Sequence, residues 1–460
     1  MSLSSSVKTK EIEAVYYQQN GRVEFRFQPN KLYSTDVIIS NLGVSKSANQ
    51  TQLSKWCGVY GCVTNATLFD GNTELSNISD VGFWSGFKMF KKENQFSESV
   101  SQYYNGGNLG KNWNQSDTNT NCVASAGVDN FGAKMQDADL RDLDTLDTES
   151  GTFKGQLKLR ELFDILNKMS YIDTSIFKNF RVVLELSNLT NRILKGRQDD
   201  VGLNTTRPFM VAHEVVDEEI LSNMMGRMGN IVYTEMEDDS VQIPAITGLT
   251  NASRYKTQIN NYHLNSFNNK SLGRILLWKQ PADAGNHRDV TADGSVKCMG
   301  IYNSDVFLQE IEQIRINGRN VLARSGIEGS GNRKLAHMVD SWGVCSLAPL
   351  NSGLANSAPD GIPRQRILDN GNADIGALDF VGLDLGGEKC TDLQIDLTRT
   401  GIFLATVAAG GAGATDGFYA NDANRTTAST YNSIHNLAIW CEVTKALVMS
   451  KDGSYNVVYV

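Results

Sequence analysis

The sequence predicts a mainly β protein of the sandwich or barrel kind. Helical periodicity is scarce along its 460 residues. Short alternating or apolar runs recur instead between clusters of Gly, Asn, Asp and Ser, the signature of many strands joined by turns. Two turn sequences with strand-like flanks also stand about half a chain apart.

Taking the elements in order, the first hairpin signal is Leu68-Phe69-Asp70-Gly71-Asn72, which follows a strand candidate at 59–68 and leads into Leu75 to Ile78. An Asp-Gly pair can adopt the positive φ angles of a type I′ turn, whose twist matches that of the strands it joins. Residues 156–169 carry Leu159, Leu162, Phe163, Leu166 and Met169 at spacings of three and four, which predicts a single amphipathic helix. Arg181 to Leu186 alternate as a strand. The second hairpin signal is Arg315-Ile316-Asn317-Gly318-Arg319, between a strand candidate at 306–316 and Val321-Leu322.

The two turn glycines lie 318 − 71 = 247 positions apart, and the alternating strands that start at Arg181 and Asp392 lie 392 − 181 = 211 positions apart. Two similar β domains in tandem would produce both correspondences, with loops of unequal length. The expected division is 1–206 and 207–460, near Asn204-Thr205-Thr206-Arg207-Pro208 and before the apolar Phe209 to Ala212. Residues 105–130, 326–374 and 408–421 lack periodicity and read as extended surface loops.

Composition narrows the function. A net charge of −8 and a pI near 5.3 argue against a surface that packs nucleic acid, since phosphate binding needs clustered Lys and Arg. The first ten residues are Ser-rich and lack the apolar stretch of a signal peptide, so secretion is not expected. No run approaches the ~18 apolar residues that span a bilayer. Seven cysteines are scattered without CxxC spacing, which suggests reduced thiols rather than a disulfide framework or zinc site.

The search for chemistry nominates no catalytic, cofactor-binding or metal residue. Five histidines lie far apart with no HExxH pair. Gly106-Gly107-Asn108-Leu109-Gly110-Lys111 imitates a phosphate loop, but Asn105 and Asn112 stand where Gly and Ser or Thr are required. The Gly-rich stretch from Gly410 to Gly417 misses the dinucleotide spacing. The acidic run from Asp137 to Glu149 and the group Glu235, Glu237, Asp238 and Asp239 read as solvated acidic surface. Lys88, Lys91 and Lys92 beside Phe87 and Phe90 read as an amphipathic segment. No enzyme activity and no cofactor are expected.

The C-terminal run His435-Asn436-Leu437-Ala438-Ile439-Trp440-Cys441-Glu442-Val443-Thr444-Lys445-Ala446-Leu447-Val448-Met449, turning at Asp452-Gly453 into Tyr455-Asn456-Val457-Val458-Tyr459-Val460, resembles the ending of double jelly-roll major capsid proteins of the polinton-like virus, adintovirus and virophage group. The hairpin from Glu310 to Leu322 is similar to one in their second jelly roll. The segment from Leu162 to Met169 followed by Phe180 to Leu186 resembles the close of their first. The resemblance implies an all-β chain of two tandem eight-stranded jelly rolls with a few short helices. It also implies a homotrimer that approximates sixfold symmetry and tiles an icosahedral virion shell.

Its partners would be further copies of itself, penton proteins, and minor capsid or cement proteins, with a genome layer or internal membrane beneath the shell and no direct sequence-specific contact to nucleic acid. Leu437, Ile439, Cys441 and Val443 should face a sandwich core, with Ala438, Trp440, Glu442 and Thr444 on the other face. The three long loops are the expected outer and inter-subunit surfaces. The rival expectations are a trimeric attachment or carbohydrate-binding sandwich protein and, more distantly, a polysaccharide-acting enzyme with a carboxylate pair.

Overall fold

A computed structural model describes residues 6–19, 21–46, 52–53, 60, 62–82, 84–85, 151–186, 194–195, 201–203, 207–243, 254–281, 309–322, 337, 340–343, 381–402, 435–450 and 453–460. The chain begins with β1 (Val7–Glu13), β2 (Tyr16–Tyr17), β3 (Arg22–Arg26), β4 (Leu32–Ser34) and β5 (Ile38–Lys46). The short β6 (Gln52–Leu53) and the hairpin of β7 (Val63–Asp70) and β8 (Thr73–Ser79) follow. Next come β9 (Gly151–Lys158), helices α1 (Leu159–Leu162) and α2 (Asp164–Lys168), β10 (Tyr171–Asp173), β11 (Phe180–Leu186), β12 (Leu194–Lys195), β13 (Val201–Leu203), β14 (Phe209–Val215) and α3 (Glu218–Met224). The remainder comprises β15 (Ile231–Ile243), β16 (Arg254–His263), β17 (Lys270–Pro281), β18 (Gln309–Ile316), β19 (Arg319–Asn320), β20 (Val381–Cys390), β21 (Leu393–Ile402), β22 (His435–Met449) and β23 (Tyr455–Tyr459).

These elements form two compact units. Among the described residues, those up to 237 and those from 443 onward make the first, and those from 238 to 442 the second. The division thus differs from the expected boundary at 206/207. Strand β14, expected to open the second domain, pairs with β1, β4 and β5 instead. Its core-facing Met210 and Ala212 are fully buried there. Burial of that apolar row holds β14 with the first unit.

In the first unit one sheet takes the order β10-β4-β14-β5-β13, with β1 on β14 and β9 on β5, and the other takes β2-β3-β11-β7-β8. Val23 and Phe25 of β3, Ala66 and Leu68 of β7, Val182 and Leu184 of β11, and Ile39, Leu157 and Met210 of the opposing sheet form the core. Phe27 links the sheets, its ring 5.0 Å from Tyr33 and 5.3 Å from Phe180 in edge contacts. Such aromatic pairs contribute about 0.5–1.5 kcal/mol beyond their buried area.

The second unit contains a sheet in the order β16-β21-β18-β19, and β17 pairs antiparallel with β20. The run β16-β21-β18-β19 repeats the run β3-β11-β7-β8 of the first unit. In each, the expected hairpin lies against the expected alternating strand: β7-β8 on β11 and β18-β19 on β21. The duplication read from turn and strand spacing is therefore one of topology, and nearly every pairing within it is antiparallel.

Two local expectations differ in detail. The second turn has φ +52° at Asn317 and +77° at Gly318, with Ile316 opposite Arg319, as type I′ requires. The first is shifted by one residue: Asp70 pairs with Thr73, the loop is Gly71-Asn72, and only Gly71 has positive φ. Asp70 is held in the strand because its carboxylate accepts from Asn179 N–H and Tyr455 O–H.

The single helix expected over 156–169 is instead the end of β9 followed by α1 and α2, broken at Phe163, whose φ of −110° and ψ of 107° are extended. The five apolar residues are buried as expected. Pairing of β9 with β5 extends through Lys158, which claims the predicted first turn for the sheet. Among the described residues, no helix is long and apolar enough to cross a membrane.

Candidate functional site

The core rows of both units contain charges, and each has a built partner set. On β3, Glu24 alternates with Val23 and Phe25 and is only 6% exposed. Its carboxylate accepts from Arg22 at 2.9 Å, Arg26 at 2.8 Å and Arg181 at 3.3 Å. Burial would raise this carboxyl, but the hydrogen bonds and charges of Arg26 and Arg181 outweigh it and hold Glu24 below its ordinary value. Glu214 continues the row of Met210 and Ala212 on β14 and meets Lys31 at 2.7 Å and Lys10 at 3.4 Å. The hydrogen bond from Lys31 outweighs burial and holds Glu214 low as well.

The most enclosed pair is Glu235 with Lys445. Lys445 belongs to the row of Val443 and Leu447, both fully buried, so its ammonium cannot reach water from the strand face it occupies. It hydrogen-bonds Glu235 and lies 3.8 Å from Glu237, while its Nζ stands 4.9 Å from the centre of the Tyr459 ring. Glu235 also accepts from the Asn77 N–H at 2.9 Å. Burial alone would lower the Lys445 pKa; the charge and hydrogen bond of Glu235 reverse this and hold the ammonium above its ordinary value. At Glu235 burial outweighs the charge and hydrogen bond of Lys445 and raises the carboxyl above its ordinary value.

The expectation of a solvated acidic surface at Glu235, Glu237, Asp238 and Asp239 is therefore corrected at its first member: Glu235 is 5% exposed and paired. Glu237 accepts from Tyr459 O–H at 2.8 Å, and Asp239 from Ser266 O–H at 2.5 Å. The sequence carried half of the signal: a lysine on a core-facing strand row requires a buried acid, but nothing local says which acid it is.

The second unit holds two comparable arrangements. Asp396 on β21 lies where both neighbours bulge, between Ile259 and Tyr262 on β16 and between Ile311 and Gln313 on β18. Its carboxylate accepts from the Asn261 N–H at 2.6 Å, which the bulge frees from the ladder at φ +52°, and from Arg315 at 2.5 Å. Arg274 forms a fork with Glu442, at 2.5 and 2.7 Å, and stacks 4.3 Å from the centre of the Trp342 ring.

In each cluster the carboxylate is bound by at least one cation, which suits fixation of a strand. Among the described residues no three His, Cys, Asp or Glu side chains are grouped to hold a metal ion. Cys62, Cys390 and Cys441 are buried and form no disulfide. The expected loops 105–130 and 408–421, most of 326–374, the acidic run from Asp137 to Glu149, the Gly106 to Lys111 turn and the Lys88 to Lys92 segment lie outside the described residues; within 326–374, Ser341 and Trp342 are buried, so that part is not the expected surface loop.

Neither family models nor characterised sequences match the chain. Solved structures do, over nearly the whole length. The PBCV-1 VP54 protein, as fitted into a reconstruction of the virophage Sputnik, aligns with a TM-score of 0.54 at 10% identity over 99% of this chain and 97% of that one. The mavirus major capsid protein aligns with a TM-score of 0.53 at 11% identity over 99% of this chain and 90% of its own. A Sputnik virophage chain aligns at 0.51 and 11%, over 98% and 88%.

The chain has the double jelly-roll fold. Both ends of each alignment are nearly complete, so the likeness covers both units rather than one sandwich. Within the double jelly roll, the repeated β3-β11-β7-β8 and β16-β21-β18-β19 orders are corresponding halves. The expected alternation on β22 holds: Leu437, Ile439, Cys441 and Val443 are buried, while Ala438, Glu442 and Thr444 are partly exposed. Trp440 is also buried, at 2% exposure.

Proposed function

We propose that the chain is a major capsid protein, a virion component that trimerises into pseudo-hexameric capsomers of an icosahedral shell. The observation that carries this is the end-to-end double jelly-roll likeness to the mavirus and Sputnik chains, which spans two β units. Duplication suits the role physically, because three copies of a two-domain chain present six similar sandwiches and approximate the sixfold symmetry that a flat facet needs. The polar interior supports a scaffold rather than a catalyst, since its charges are spent on one another. The net charge of −8 does not favour a subunit that neutralises the genome by itself, so other basic proteins or an internal layer would meet the packaged DNA. Penton, minor capsid and cement proteins are the expected further partners.

The test is the native mass of the purified protein, with negative-stain imaging of the same fraction. A particle of three times the 50.6 kDa chain mass, appearing as a hexagonal ring, is expected. A monomer with glycan-binding or glycan-cleaving activity would overturn the proposal in favour of the attachment or enzyme alternatives.

A further inference from the structure

The first unit is discontinuous in sequence: residues 238–442 intervene between its main body and its last eighteen residues, Val443–Val460. Those last residues are not a peripheral addition. Within the first unit, the end of β22 contributes the fully buried Val443 and Leu447 to the core, and β23 pairs with it from Lys445↔Tyr459 to Met449↔Tyr455. Five contacts tie this hairpin to three earlier parts of the unit. Lys445 meets the buried Glu235, which in turn fixes the Asn77 N–H of β8. Tyr455 O–H donates to Asp70 of β7 at 2.6 Å, and its ring lies 5.2 Å from Phe177. Tyr459 O–H donates to Glu237, and Asn230 accepts from the Met449 N–H at 2.8 Å.

We propose that the hairpin of β22 and β23 is a folding clasp: the first jelly roll closes only when residues 443–460 dock on it. The cause is the accounting of the polar groups. Without the hairpin, Glu235 is a carboxylate beside the Asn77 N–H with no cation, and Asp70 loses a donor, so the β7, β8 and β15 segments lose the partners that make their burial favourable. Chain order then imposes a delay. At synthesis rates of about 5–20 residues per second, roughly 10–45 s separate the emergence of β15 from that of β23. During that interval the rest of the first unit waits for its closing strands.

The experiment is pulsed hydrogen exchange during refolding of the full chain, read by peptide mass. The expected result is that peptides covering Asn77 and the first half of β15 gain protection in the same kinetic phase as Tyr455–Tyr459. Protection of Asn77 and β15 in an earlier phase than β23 overturns the proposal. In the folded state, Tyr455→Ala should raise exchange in β7 and β8 at least tenfold and leave β20 and β21 unchanged, because local opening reports the stability of its own cooperative unit. Should that variant not fold, Tyr455→Phe removes only the hydroxyl bonded to Asp70, and its effect should be smaller and confined to the same strands. An effect spread equally over both units, or none in β7 and β8, overturns the clasp.

Discussion

Replacing Lys445 by methionine keeps the shape of the side chain and removes its charge. Glu235 is 5% exposed, with a side chain at 2%, so the carboxylate left behind cannot regain water where it stands. Breaking a buried pair by removing one partner costs about 3–5 kcal/mol. The double variant Glu235→Leu/Lys445→Met removes both charges and should recover most of this. What remains is the Asn77 N–H, which now donates to Glu235 at 2.9 Å and would lose its acceptor, a cost of about 1–3 kcal/mol. With two compact units a single unfolding free energy is ill-defined, so the assay is native-state hydrogen exchange of the β8 and β15 amides. Lys445→Met should accelerate it by about a hundred- to a few-thousand-fold, and the double variant by much less. A single variant no more costly than the double one, or one costing under about 1 kcal/mol, would refute the buried pair.

Three further outcomes are expected. Glu24 and Glu214 are held below their ordinary value of 4.5, so their stabilisation is complete above that pH and is lost as pH falls through their lower folded values; urea midpoints should drop in that window. Glu214→Gln should lower the midpoint above pH 4.5 and flatten the acid slope. Burial pushes the Cys62 thiol up to about 12, so maleimide should leave the Cys62 peptide unmodified in the native protein and label it after unfolding. Gly318→Ala places a Cβ at φ +77° with open space around it, so it should cost about 1–2 kcal/mol through backbone strain alone, seen as faster exchange in β18 and β19.

Much of the fold was legible because it rests on short-range rules. Asn317-Gly318 forms the type I′ turn its chemistry favours, Leu159 to Met169 are buried as their apolar spacing requires, and β11 and β21 alternate where Arg181 to Leu186 and Asp392 to Leu397 alternate in sequence. The helix break at Phe163 was not legible, because helical spacing in 156–169 says nothing of the β5 edge that recruits Lys158 into a sheet. The acidic reading of Glu235 failed for the same kind of reason: its partner stands 210 positions away. No catalytic site was legible, and the described charges engage one another in pairs and small clusters.

By itself the sequence determined the fold class, the two hairpins, the duplication and the apolar rows, since each depends on residues within a turn or two of one another. The tertiary structure alone decided that β14 belongs with the first unit, that the chain returns there at Val443, and that Lys445 and Glu235 neutralise each other in its core. These depend on which distant strands become neighbours, and that is settled by burying every apolar row and pairing every buried charge at once, a condition no local pattern encodes.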